Sequence, residues 1–146
     1  MIDHIKITGR LDVELYDAEG RIKQNIHVPN LVVTSGKAII AKLLSSTGTV
    51  PSHIAVGNDN TPAQVTDAAL YSEIASSRVA ISTKTTVGVE TTYHVLFAPG
   101  VGTGTIKEAG IFNASTLGEM LARTTFTDVV KGASDTLVIN WTIKIN

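Results

Sequence analysis

Leu137, Ile139, Trp141, Ile143 and Ile145 occupy alternate positions near the end of the chain, with Val138, Asn140, Thr142 and Lys144 between them. A period of two marks a β-strand, because successive side chains leave opposite faces of the pleat. The same pattern opens the chain, where Ile5, Ile7, Leu11, Val13 and Leu15 alternate with Lys6, Thr8, Arg10, Asp12 and Glu14. Gly9 falls on the apolar register and predicts a bulge. Asp17-Ala18-Glu19-Gly20 reads as a tight turn, and Ile22, Ile26 and Val28 carry the alternation onward. Residues 3–28 are therefore expected to form a β-hairpin.

Pro29-Asn30 interrupts this pattern, and a short apolar run, Leu31-Val32-Val33, follows. From Thr34 the period changes: Ala38, Ile39, Ile40, Leu43 and Leu44 fall at helical spacing. One helix is expected at about residues 35–45, capped by the hydroxyl of Thr34 or Ser35 and ended by Ser46-Thr47-Gly48. Strands are then predicted at 53–56, from Arg78 through Thr83, over 90–97, 106–112 and 119–127, and at the end of the chain. Clusters of turn residues separate them. Thr66-Asp67-Ala68-Ala69-Leu70 suggests a single helical turn.

This succession lacks a repeated βαβ unit. It predicts a mainly β fold: an antiparallel β-sandwich or barrel, jelly-roll-like, with an N-terminal hairpin and one short helix. A single domain is expected over 1–146, divided into a hairpin or arm at 1–29 and a main sandwich at 30–146.

Composition narrows the function classes. The chain has 146 residues and no cysteine, so disulfides and thiolate metal sites are excluded. With 12 basic and 13 acidic side chains it carries a net charge of −1, which gives no broad electrostatic footprint for nucleic acid. No apolar run is long enough to span a bilayer, and the first residues do not read as a secretory signal. Charged residues make up 17%, against roughly 25% in ordinary soluble domains. The mean hydropathy is +0.20. A surface this poor in charge suggests that more of it is covered than one subunit covers alone.

The motifs that suggest chemistry each lack a necessary part. Gly100-Val101-Gly102-Thr103-Gly104 is glycine-rich but leads into a strand pattern, without the Lys-Ser/Thr and helix N-terminus of a phosphate loop. Asn58-Asp59-Asn60 lacks the alternating carboxylates of a calcium loop and reads as a turn. His4, His27, His53 and His94 have no ligand spacing, and no Ser sits in a Gly-x-Ser-x-Gly elbow. Glu108 lies within a predicted strand, where an ion pair with Arg123 is a better reading than a general base. Trp141 is expected in the core or against a partner subunit. The sequence therefore assigns no catalytic, cofactor-binding or metal-binding residue, and leaves binding residues unassigned.

One resemblance covers roughly residues 30–146. It rests on the order of Asn30-Leu31-Val32-Val33-Thr34-Ser35-Gly36-Lys37, His53-Ile54-Ala55-Val56-Gly57, Lys107-Glu108-Ala109-Gly110-Ile111-Phe112-Asn113, Met120-Leu121-Ala122-Arg123-Thr124-Thr125-Phe126, Lys131-Gly132-Ala133-Ser134-Asp135-Thr136-Leu137 and Trp141-Thr142-Ile143. This string resembles small virion structural proteins of tailed bacteriophages, variously capsid decoration (cement) or tail-fibre proteins. The resemblance implies a non-enzymatic protein without cofactors, made in the bacterial host cytoplasm and located on the virion. A decoration protein would bind the major capsid protein as a homotrimer and clamp the assembled head. A tail-fibre or baseplate adaptor, bound to tail proteins, is the alternative within the class. A small carbohydrate-binding jelly-roll module is the alternative outside it. Neither nucleic acid nor membrane is an expected partner.

Overall fold

The alternating segments pair into two sheets that face each other. The computed structural model describes residues 4–146. Its strands are β1 (Ile7–Tyr16), β2 (Ile22–Pro29), β3 (Leu31–Val32), β4 (His53–Gly57), β5 (Val79–Ala80), β6 (Thr83–Val87), β7 (Glu90–Phe97), β8 (Gly104–Phe112), β9 (Met120–Lys131) and β10 (Thr136–Ile145). The one helix among the described residues, α1, spans Thr34–Leu44. One five-stranded sheet has the order β2-β1-β10-β7-β6, and the other has β3-β9-β8-β4-β5. Neighbouring strands are antiparallel throughout. The fold is a β-sandwich.

Its core joins the apolar faces that the alternation marks. Leu11, Val13, Leu15, Val95, Phe97, Leu137, Ile139 and Trp141 of the first sheet share one buried cluster with Val56, Ile106, Ile111, Ala122 and Val129 of the second. Trp141 is fully buried, which places it in the core of the subunit.

The expected hairpin is present. Gly20 N–H donates to the Asp17 carbonyl (3.0 Å), and the Asp17 carboxylate accepts from Glu19 and Arg21 N–H. The hairpin is not an appendage, however. β1 pairs with β10 over its whole length, from Ile7 opposite Ile145 to Tyr16 opposite Thr136. The division at residue 29 therefore runs through one sandwich.

Gly9 also departs from expectation. It pairs with Ile143 in unbroken register, and the irregularity of β1 lies instead at Leu15/Tyr16 against β2. A Cβ at Gly9 would sit 1.8 Å from Oδ1 of Asn30, so glycine serves close approach rather than a bulge.

The helix matches its predicted span within one residue but not its predicted cap. Val33 is the N-cap, and no side-chain cap bond is made. Thr34 N–H donates to the Val65 carbonyl at 2.8 Å, and Ser35 Oγ donates to the Met120 carbonyl of β9 at 2.7 Å. The Val65 carbonyl thus takes one free N–H of the first turn, while Ser35 ties the helix to β9 rather than capping it. Gly36 brings the helix onto β9 so closely that a Cβ there would lie 1.9 Å from the Leu121 carbonyl oxygen.

Two further expectations change. The strand predicted from Arg78 through Thr83 splits, because the chain leaves the second sheet after β5 and enters the first at β6. Residues 66–70 form no helical turn: a turn at 65–66 is followed by irregular chain with a bend at Ala69. The Asp67 carboxylate accepts from Gln64 N–H and from Arg123.

Candidate functional site

The largest concentration of buried polar side chains lies where residues 58–78 cross β8 and β9. These residues connect β4 to β5 without a named strand or helix, apart from an isolated bridge between Gly57 and Glu73. Loops longer than about 12–15 residues need something to hold them. Here it is Arg123. Its Nε donates to Glu108 Oε2 (2.9 Å), and its Nη1 donates to Asp67 Oδ2 (3.1 Å). Nη2 lies 2.8 Å from Glu108 Oε2 but is not aligned as a hydrogen bond, so that contact is ionic. The side chains of Arg123 and Glu108 are 0% exposed.

The strands position this pair directly. Glu108 of β8 and Arg123 of β9 lie on adjacent strands, two register positions apart, since Glu108 pairs with Thr125 and Gly110 with Arg123. The loop then closes over them. Glu108 Oε1 accepts from Ser72 N–H (2.8 Å), and Oε2 accepts from Tyr71 N–H (3.2 Å). Asp67 accepts from Gln64 N–H (2.9 Å) and from the Tyr71 hydroxyl (2.8 Å). The Tyr71 ring lies over the guanidinium, 4.2 Å from its centroid. Its hydrogen bond to the Asp67 carboxylate raises the Tyr71 pKa above the usual phenol value, with desolvation adding to the effect.

One guanidinium therefore faces two carboxylates. The surplus negative charge is met by backbone N–H groups and a phenol, as buried charge requires. Gly57 makes room, because a Cβ there would lie 2.4 Å from Glu108 Oε1. Both Glu108 oxygens are engaged by the protein itself. The arrangement acts as a clasp that fixes the loop on the sheet.

A second arginine holds the far end. Arg78 Nε and Nη2 grip the Glu73 carboxylate at 3.2 and 3.0 Å, and its guanidinium stacks on Phe112 at 3.7 Å. Its Nη1 donates to the carbonyls of Ala114 and Leu117 in the β8–β9 turn. Leu117 has φ +52°, a left-handed conformation that costs a non-glycine residue energy, and its side chain is 86% exposed.

The sequence reading paired Glu108 with Arg123, and the structure joins them. It did not find Asp67, Tyr71 or Arg78. Their only signal was a long aperiodic stretch whose backbone groups had to be satisfied somewhere. The other candidates stay apart. Gly100–Gly104 forms the β7–β8 turn, with positive φ at Gly100, Gly102 and Gly104, and leads into a strand. Asp59 accepts from Thr61 N–H at 2.8 Å, and its bonds to Thr61 hold its carboxyl below the usual range. His27 meets Asp12 (2.6 Å), His94 meets Asn140 (2.8 Å) and His53 meets Ser52 (2.8 Å). Burial lowers the His53 pKa, helped by the charges of Arg78 and Lys84. Among the described residues no group of three potential metal ligands converges.

The outer face of the first sheet is largely polar. Thr85, Thr92 and Thr142 form one cross-strand row, in which Thr92 Oγ1 and Thr142 Oγ1 are 3.0 Å apart. An apolar cleft of about 140 Å³ opens beneath α1, lined in part by Ile39, Leu43, Val89, Tyr93 and Ile143. It shares no residue with the Arg123 clasp and is smaller than the roughly 300 Å³ of a typical ligand pocket.

Comparison with known proteins found no family that matches the chain and no curated relative.

Proposed function

We propose that this protein is a non-enzymatic structural component of a tailed-phage virion, and within that class a capsid decoration protein that stabilises the assembled head. The observation that carries this reading is the destination of the buried ionic groups. Glu108, Arg123 and Asp67 spend their bonds on holding residues 58–78 in one shape. A loop fixed in this way presents a constant surface, which suits a protein that works through contacts. The phrase order over residues 30–146 supports the phage class, and the 17% charge content suits a surface that is partly covered in an assembly.

The carbohydrate-binding alternative loses its best candidate, since the single tryptophan is wholly buried and cannot stack on a sugar.

Counting copies per particle tests the proposal. Purified virions analysed by quantitative mass spectrometry should contain the chain in hundreds of copies, and the isolated protein should co-sediment with mature capsids. Tens of copies or fewer would move it to the tail as an adaptor. Absence from the virion would remove the class altogether.

A further inference from the structure

The two sheets leave four outer strands, and three of them are protected. β3 and β5 are two residues long. β2 carries Lys23 and His27, ends at Pro29 and has an irregular register beside Leu15/Tyr16. These are the devices by which sheet edges avoid pairing with other chains. β6 has only one of them, the charge of Lys84. Thr83, Lys84, Thr85, Thr86 and Val87 are all exposed, with one charge, no proline and an unbroken register against β7.

The register also shows which backbone groups are free. Ile145 N–H donates to the carbonyl of Val89, just before β7, so in the same register the odd-numbered residues of β7 turn their backbone groups to β10. Glu90, Thr92 and His94 turn theirs to β6, where they oppose Val87, Thr85 and Thr83. Lys84 and Thr86 therefore direct their N–H and C=O groups away from β7, into solvent.

We propose that β6 pairs antiparallel with β6 of a second copy of this chain, about a twofold axis through Thr85. In this register Lys84 exchanges hydrogen bonds with the partner's Thr86, and symmetry repeats the exchange. The one charge of the strand then faces a threonine. A register centred on Lys84 would set lysine against lysine, which is unfavourable for residues directly opposite each other. On the outer face Thr85 meets the partner's Thr85, so the Thr142–Thr92–Thr85 row continues across the joint. Val87, 73% exposed in the single chain, comes against the partner's Thr83. The self-complementary strand is the argument for a second copy as the occupant. This twofold pair takes the place of the homotrimer that the resemblance to decoration proteins implies, and the mass in solution separates the two.

Light-scattering mass measurement of the full chain over a range of concentrations tests this. The expected mass at high concentration is twice the 15.4 kDa of the chain. Thr86→Pro removes an N–H that no strand of its own chain uses, together with the exposed Thr86–Thr91 hydroxyl contact, and should give the single-chain mass while the chain stays folded. Thr85→Lys and Thr85→Glu each set like charges together at the axis. Each alone should be monomeric, and a mixture of the two should pair. A wild-type chain that is monomeric or trimeric at every concentration overturns the proposal. So does a Thr86→Pro or Thr85→Lys variant that keeps the dimer mass.

Discussion

Arg123 Nε donates to Glu108 Oε2 at 2.9 Å, and neither side chain reaches solvent. Breaking such a pair strands a charge in the interior, which typically costs about 3–5 kcal/mol. Arg123→Met should lose stability on that scale in urea denaturation, because both Glu108 and Asp67 lose their cation. The double variant Arg123→Met with Glu108→Gln should lose less than the sum of the two single changes. Limited proteolysis should then cut preferentially within residues 58–78. A variant that unfolds no more easily and is not cut there would show that the clasp does not hold the loop.

Two glycines make a prediction whose sign runs against intrinsic preference. Replacing a helical glycine by alanine ordinarily stabilises a helix, by up to about 1 kcal/mol. At Gly36 the new Cβ would meet the Leu121 carbonyl oxygen at 1.9 Å, and a backbone atom cannot swing aside. Gly36→Ala should therefore destabilise, by about 1–3 kcal/mol as overpacked cores do. Gly57→Ala, which presses on Glu108 and on the Ser72 carbonyl, should act in the same direction. Thermal melting of both variants checks this, and a raised melting temperature in Gly36→Ala would contradict it.

Trp141 separates loss of volume from loss of a hydrogen bond. Its indole N–H is buried without a partner among the described residues. Trp141→Ala should cost about 3–5 kcal/mol, the range for truncating a buried aromatic. Trp141→Phe keeps most of the volume and removes an unsatisfied donor, so it should retain well over half of that stability. Denaturant titration of the pair gives the comparison, and equal losses would mean that the indole N–H has a partner.

Asp135 sets an acid limit. Lys23 Nζ lies 2.8 Å from its carboxylate and Gly132 N–H donates to it at 2.8 Å. The Lys23 bond first, then the Gly132 bond, hold the carboxyl below its ordinary value. A carboxylate with a depressed native pKa adds stability that is complete above its unfolded value of about 3.9 and is lost as pH falls through the native value. Wild type should melt higher than Asp135→Asn at pH 6, and the two should converge as pH falls below about 4. A gap that is constant from pH 6 to pH 2 would exclude the carboxylate as its source.

β1, β7 and β10 were legible because one side of each is core, whereas the wholly exposed β6 was read only at its first residue. Leu137, Ile139, Trp141 and Ile143 alternate with partly exposed neighbours, as the pattern requires, and β7 behaves the same way at Tyr93, Val95 and Phe97. What alternation cannot encode is a partner across the fold. Ser35 could cap its own helix or bond β9, and only the packing of Gly36 on Leu121 decides between them. The run from Arg78 to Thr83 keeps its alternation while crossing from one sheet to the other, so the crossing leaves no trace in periodicity. Glu108 and Arg123 were readable as a pair because an acid and a base in neighbouring apolar strands need each other. Asp67 joins them from the middle of the long loop, at a distance that no local pattern reports.

β10 lies between β1 and β7, so strands from opposite ends of the described chain are direct neighbours. During synthesis the apolar side of β1 has no permanent neighbour on that edge until residues 136–145 emerge. At about 5–20 residues per second the wait is on the order of ten seconds. Long-range pairing of this kind also makes folding slow, in the millisecond-to-second range once the chain is complete. A ribosome-bound intermediate ending before β10 should therefore expose Leu11, Val13 and Leu15 to chaperones, and the pairing of β10 with β1 is what releases the chain from them.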